Sequence, residues 1–344
     1  MNIRNMTIAA AAVASIAFAG AAQARDQIQI VGSSTVFPFS TLVAEQFGKT
    51  TEFKTPVVES TGSGGGMKLF CAGIGLEHPD ITNASRRIKK SEFEKCTAAG
   101  ITITEVKIGY DGIVIANAKS ADQFELTRQQ LFLALAAQVP NEENVLVKNP
   151  YTKWSEIDPS LPDLEIEVLG PPPTSGTRDA FVELVMRKGA RKFDFLNDLR
   201  GQDKKAFRAI SDTMREDGRF IEAGENDNLM VQKVEANPAA LAIFGFSFLE
   251  ENRDKVQGSI VEGTQPTFDS IASGDYPVSR SLYFYVKNEH VGVVPGIKEY
   301  VAEFVAEKAI GPEGYAIDKG LIPLPDADRE AMRENALNLA PLSM

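Results

Sequence analysis

The chain has 344 residues, 43% of them hydrophobic and 24% charged, which is enough for two domains that each bury a core. A formal net charge of −11 argues against nucleic acid and anionic lipid as partners, although a local cluster of donors can still hold a small anion. The two histidines, His78 and His290, stand far apart and read as surface residues, not as metal ligands or a catalytic base.

Residues 1–24, "MNIRNMTIAAAAVASIAFAGAAQA", have a basic start at Arg4, a small apolar core and an A-x-A ending. They are predicted to be a secretory signal peptide cut after Ala24, because the apolar run is too short and alanine-rich for a membrane span. The mature chain is expected to be exported, with no direct membrane insertion. Next, the alternation Ile28 to Val31 predicts a strand, "GSST" a turn, and the run from Phe37 a helix. The same order follows in "PVVEST", "GSGGG", "MKLFCAG", and again in "LEIEVLG", "PPPTSGT", "RDAFVELVMRKG". Cys71 and Cys96 are an even pair that an oxidising compartment would join as a disulfide, worth roughly 3 kcal/mol in the chain-entropy model; two buried free thiols are the alternative. Ile101 to Ala118 and Val278 to Lys287 are the candidate crossings between two lobes, and "GIKEYVAEFVAEKA" is an amphipathic helix. The fold class is therefore α/β, with mostly parallel sheets and helices on both faces. The first lobe is discontinuous, 25–112 plus 279–344, and the second is the insert 113–278.

Three predicted turns sit at helix starts, where unpaired backbone N–H groups and a partial positive charge suit an oxyanion. Ser34, Thr35, Ser63, Ser175 and Thr177 add hydroxyls, and Gly176 with the glycines of "GSGGG" lets backbone approach a ligand. Any one Ser or Thr is more often a plain helix cap. Three such turns, at the strand ends where open α/β sheets bind ligands, make a stronger case. "DITNASRRIKK" adds Ser85 and Arg86, whose planar fork matches an oxyanion, while Arg87, Lys89 and Lys90 read as a solvated face. Nucleotide motifs fail on spacing: Lys68 lacks the flanking residues of a phosphate loop, and Met67 stands where a dinucleotide fingerprint needs glycine. There is no G-x-S-x-G elbow, so catalysis has little support, and neither a cofactor nor a metal is called for.

"VGSSTVFPFS", "STGSGGGMKLF", "DITNASRRI", "TSGTRDAF" and "YPVSRSLYFYVK" together resemble the periplasmic phosphate-binding component of the phosphate ABC importer. The resemblance runs from about Ile28 to "GLIPLP". It implies a two-lobed periplasmic binding protein fold (type II) with a hinge, a monomer that closes on inorganic phosphate and delivers it to membrane permease subunits. It places Ser34, Thr35 and the N–H of Val36 in the first loop, Ser63 in the second, Ser85 and Arg86 in the third, and Ser175, Gly176 and Thr177 on the opposite lobe. Trp154, in "YTKWSEID", is read as packing. Known members carry an arginine shortly before S-G-T, where this chain has "GPPPT"; Arg178 is the candidate replacement. Some members also place an aspartate where Ser34 or Ser85 stands, to accept the phosphate proton. Asp111 is the expected substitute, with Asp227 second, and a turn or hinge role is the alternative for both. Another tetrahedral oxyanion such as sulfate or molybdate is the rival ligand, and an exported phosphohydrolase the rival activity.

Overall fold

The computed structural model describes residues 25–173, 175–224 and 227–344, without the side chains of 227 and 228. The expected signal segment 1–24 and the Asp227 side chain lie outside the described residues.

The nine strands of the main sheet are β1 (Gln29–Gly32), β2 (Val57–Ser60), β3 (Ile81–Ala84), β4 (Ile103–Ala118), β5 (Val168–Gly170), β6 (Phe220–Glu222), β7 (Leu241–Gly245), β8 (Val256–Gly258) and β9 (Ser279–Lys287). They are ordered β2-β1-β3-β9-β4-β7-β5-β6, with β8 also on β4. The mostly parallel character expected from the alternating elements describes the outer strands: β2-β1-β3 and β7-β5-β6 are parallel. The sheet as a whole is mixed, because β9 returns antiparallel between β3 and β4, and β7 and β8 run antiparallel to β4. β4 changes partner along its length. Ile103 to Gly112 pair with β9, whereas Ile113 to Ala116 pair with β7.

Each half of the sheet has its own apolar packing. On the first half, α1 (Phe37–Thr50) buries Phe39, Val43, Ala44 and Phe47 along one face, with proline at its start. Phe47 meets Tyr300 edge-on at 5.7 Å, and the Tyr300 hydroxyl lies 3.0 Å from Ser40 Oγ inside the same layer. The other face is covered by α2 (Ser63–Phe70) and α3 (Lys90–Ala98), which bury Met67, Phe70 and Cys96 around Tyr285. The Cys71–Cys96 disulfide joins these two helices, as the cysteine pair predicts. The second half packs Phe132, Trp154, Phe181 and Phe244, all fully buried, around β5 and β7. Trp154 stacks edge-on with Phe124 at 5.7 Å, in the packing role expected of it.

His290 departs from the surface reading. It is buried, with Nδ1 2.6 Å from Asp80 Oδ1 and Nε2 3.0 Å from the Ile74 carbonyl. The sequence could not show this, since Asp80 and Ile74 lie more than 200 residues away and meet His290 only through the β3–β9 pairing.

Two glycines set the close approach at the end of β1. Gly32 has φ +131°, and a Cβ there would stand 2.2 Å from the Asn83 carbonyl oxygen of β3. A Cβ on Gly66 would meet Gly32 Cα and Thr82 Oγ1 at 2.6 Å, so α2 packs directly onto the strand ends. This contact fixes the first two hydroxyl-bearing loops side by side.

Candidate functional site

The loops after β1, β2 and β3 converge on one cavity of about 710 Å3, whose lining includes Ser34, Thr35, Ser63, Ser85 and Arg86. All five are residues that the sequence pattern singles out. Ser63 Oγ accepts from the Ser85 backbone N–H at 3.1 Å and lies 3.3 Å from Ser85 Oγ, which ties the second loop to the third. The Val36 N–H donates to Ser33 Oγ at 3.4 Å, and Val36 is fully buried, so this expected donor is engaged within its own turn.

Arg280, at the start of β9, is not itself among the lining residues, but it bonds two of these hydroxyls, those of Thr35 and Ser85. Its side chain is 7% exposed. One terminal nitrogen donates to Thr35 Oγ1 at 2.5 Å; the other donates to Ser85 Oγ at 3.4 Å and to Glu183 Oε2 at 2.8 Å. Its Nε donates to Asp111 Oδ2 at 3.2 Å, across a register that pairs Arg280 with Asp111 directly. Asp111 does not line the cavity. Burial pushes its carboxyl above the usual range, and the Arg280 guanidinium pulls it back only in part. Sequence reasoning missed Arg280 although it lies inside "YPVSRSLYFYVK"; the signal was an arginine flanked by two serines at the start of a crossing strand.

Arg86 lines the cavity, but its guanidinium is occupied. It makes a two-pronged pair with Glu92, at 2.8 and 2.7 Å, which raises the arginine's pKa. Burial pushes the Glu92 carboxyl up, and Arg86 together with the Lys89 N–H more than offsets it, leaving the carboxyl below its ordinary value. The pair braces the third loop against the start of α3.

The second-half loop behaves differently. Ser175 caps α4 (Gly176–Phe181), its Oγ accepting from the Thr177 N–H at 3.2 Å, which is the plain capping role. Ser175, Gly176 and Thr177 are not in the cavity lining; Asp179 and Glu183, further along the same helical run, are. That run passes through a π-helical turn, Val182–Met186, into α5 (Arg187–Ala190). Arg178 is turned away from the hydroxyl loops. It donates to the Pro171 carbonyl at 3.1 Å, lies 4.6 Å from the Phe220 ring centroid, and borders a second cavity with Glu222 and Arg215. Burial lowers its pKa, with Glu222 acting in the opposite sense. In this position Arg178 clamps the proline-rich loop, and the arginine facing the Thr35 and Ser85 hydroxyls is Arg280.

Two further observations bear on chemistry. Among the described residues no group of three or more His, Cys, Asp or Glu is arranged to hold a metal ion. None of their helices is long and apolar enough to cross a membrane.

Comparison with known proteins agrees with this architecture. Residues 18–308 match the model of a PBP superfamily domain. The phosphate-binding protein PstS of Staphylococcus saprophyticus is 30% identical over 86% of this chain and 80% of its own length. Protein SphX of Synechococcus elongatus is 28% identical over 93% of this chain and 84% of its own. Among solved structures, a possible phosphate binding protein from Planctomyces limnophilus superposes with a TM-score of 0.72 at 28% identity, covering 92% of this chain and 99% of that one. An ABC-type phosphate transport receptor from Vibrio cholerae, 21% identical, shares the fold with a TM-score of 0.55 over 87% of this chain and all of its own. By its sheet, its strand-end loops and these relatives, the chain belongs to the PBP superfamily and, within it, to the family of PstS phosphate-binding proteins.

Proposed function

We propose that the protein binds inorganic phosphate in the cleft beside Arg280 and hands it to the permease subunits of an ABC importer. The observation that carries this reading is a buried guanidinium bonded to the Thr35 and Ser85 hydroxyls, with Ser63 tied to Ser85, and already engaged by an anionic group, the Glu183 carboxylate. A carboxylate oxygen on Arg280 occupies the place that a phosphate oxygen would take. The relatives named as phosphate-binding proteins support the choice of ligand.

In this reading the lobes are 25–112 plus 279–344 and 113–278, and the hinge is where β4 exchanges β9 for β7 at Gly112 and Ile113. Ser34, Thr35, Ser63 and Ser85 hold the anion from the first lobe. The Gly176 N–H and the Thr177 hydroxyl at the start of α4 reach it from the second on closure, which a ligand touching both lobes favours. Asp111 orients Arg280 through Nε. Residues 1–24 direct export to the periplasm, and the mature chain acts as a monomer without catalysis.

Calorimetric titration of ligand-stripped protein with phosphate and then sulfate tests the proposal. Saturable one-to-one phosphate binding is expected, with sulfate weaker. Sulfate or molybdate binding more tightly would reassign the ligand, and sustained phosphate release from a chromogenic ester would replace binding with hydrolysis.

A further inference from the structure

The cleft carries far more positive charge than one orthophosphate can use. Residues 187–208 contain eight Lys and Arg against three Asp, a local excess of five positive charges in a chain whose net charge is −11. Six of those cations, Arg187, Lys188, Arg191, Arg200, Lys204 and Arg208, line the same cavity as the hydroxyl loops. They come from α5 and the residue that ends it, Arg191, from α6 (Asp194–Gln202) and from α7 (Lys204–Ser211), whose start is fixed by Asp203, which caps the Lys205 and Ala206 N–H groups.

Their pairing relieves only part of the excess. Arg187 is paired with Asp212 at 2.6 Å, and Arg191 donates to Asn197 at 3.2 Å. Among the described residues, Lys188, Arg200, Lys204 and Arg208 have no carboxylate within ion-pair distance. Burial and the neighbouring Arg191, Arg128 and Arg200 lower the Lys188 pKa, as expected where like charges crowd. Like charges gathered along one side of the cleft repel one another and raise the local positive potential, which favours an anionic partner even on an acidic protein.

We propose that the cleft also binds condensed phosphate, a short linear polyphosphate, with a terminal phosphoryl group at the hydroxyl loops and the remaining groups along Lys188, Arg200, Lys204 and Arg208. The inference rests on the phosphate reading for its terminal subsite. Three features select this ligand. The cavity, about 710 Å3, falls in the size range that holds ligands of many atoms. Its lining on this side is guanidinium and ammonium groups, which suit repeated phosphoryl oxygens. Phe207, the aromatic residue in that lining, is 3% exposed and so offers no stacking face for a nucleobase or another ring.

The test uses the full mature chain, stripped of ligand, in about 150 mM salt to screen long-range attraction. Orthophosphate and tripolyphosphate are titrated into wild type and into the triple variant Arg200→Gln, Lys204→Gln, Arg208→Gln, whose altered side chains are all exposed. Tripolyphosphate should bind wild type and compete with orthophosphate. In the variant its affinity should fall at least thirtyfold, while that of orthophosphate changes no more than about threefold. No tripolyphosphate binding, or an equal loss for both ligands, would overturn the proposal and leave the cations as an attracting field only. A wild type that ignores orthophosphate yet binds tripolyphosphate in a variant-sensitive way would refute the orthophosphate reading while supporting this one.

Discussion

The Arg280 guanidinium and the Glu183 carboxylate meet at 2.8 Å, joining the strand that enters the first half of the sheet to the helical run of the second. Arg280 is nearly buried, whereas the Glu183 side chain is 51% exposed. The pair bridges the two halves beside the Thr35 and Ser85 hydroxyls, and in the proposed reading an incoming oxyanion competes with the carboxylate for Arg280.

If phosphate binds at Arg280 as proposed, Glu183 competes with it. Glu183→Gln should tighten phosphate binding by roughly two- to fivefold, the worth of a half-exposed ion pair, with the larger gain at low salt. Arg280→Ala should weaken it by about 2–5 kcal/mol, as loss of one partner from a buried charged contact does. Calorimetry on the two variants decides the point. Weaker binding in Glu183→Gln would show that the carboxylate serves the bound anion instead of opposing it.

Asp111 holds Arg280 by Nε at 3.2 Å, and burial keeps its carboxyl pKa raised. As a positioning residue it should act on every anion alike. Asp111→Asn is expected to weaken phosphate and sulfate by the same factor, about tenfold, the scale of a charge-assisted hydrogen bond. If the phosphate-to-sulfate ratio drops instead, Asp111 accepts the phosphate proton.

Lys287 supplies a pH-dependent stability term far from the cleft. Its side chain is fully buried, donates to the Gly73 carbonyl at 2.6 Å and lies 5.1 Å from the Phe70 ring centroid. Burial pushes its pKa down to about 8, with Asp80 pulling the other way. In the unfolded chain the ammonium titrates near about 10.4. Between these values the unfolded chain binds the extra proton, so the contribution to stability rises with pH across that window, by up to about 3 kcal/mol, and is flat below it. Urea unfolding of wild type and Lys287→Met from pH 7 to 10.5 should show the difference between them growing in favour of wild type. A constant difference would mean that the Gly73 and Asp80 contacts sustain the charge.

The strand–turn–helix loops were legible because they are local. A strand, a Ser-, Thr- or Gly-bearing turn and a helix follow one another within a few residues around Ser34, Ser63 and Gly176, and covalent proximity dictates the geometry. Cys71 and Cys96 were legible for a similar reason, since only two cysteines exist to pair. The tertiary structure alone decided which arginine faces the Thr35 and Ser85 hydroxyls. Arg178 follows S-G-T in sequence, yet its place in the first helical turn aims it at Pro171 and Phe220. Arg280 is 169 residues from Asp111 and 245 from Thr35, and antiparallel register across β4 and β9 brings the three together. The π-helical turn at Val182–Met186 likewise shifts the helix phase, so no 3.6-residue projection could say that Glu183 and the cations beyond it face the cleft. Charge is a property of the sequence, whereas the partner of each charge is set by strand pairing and helix phase over long separations.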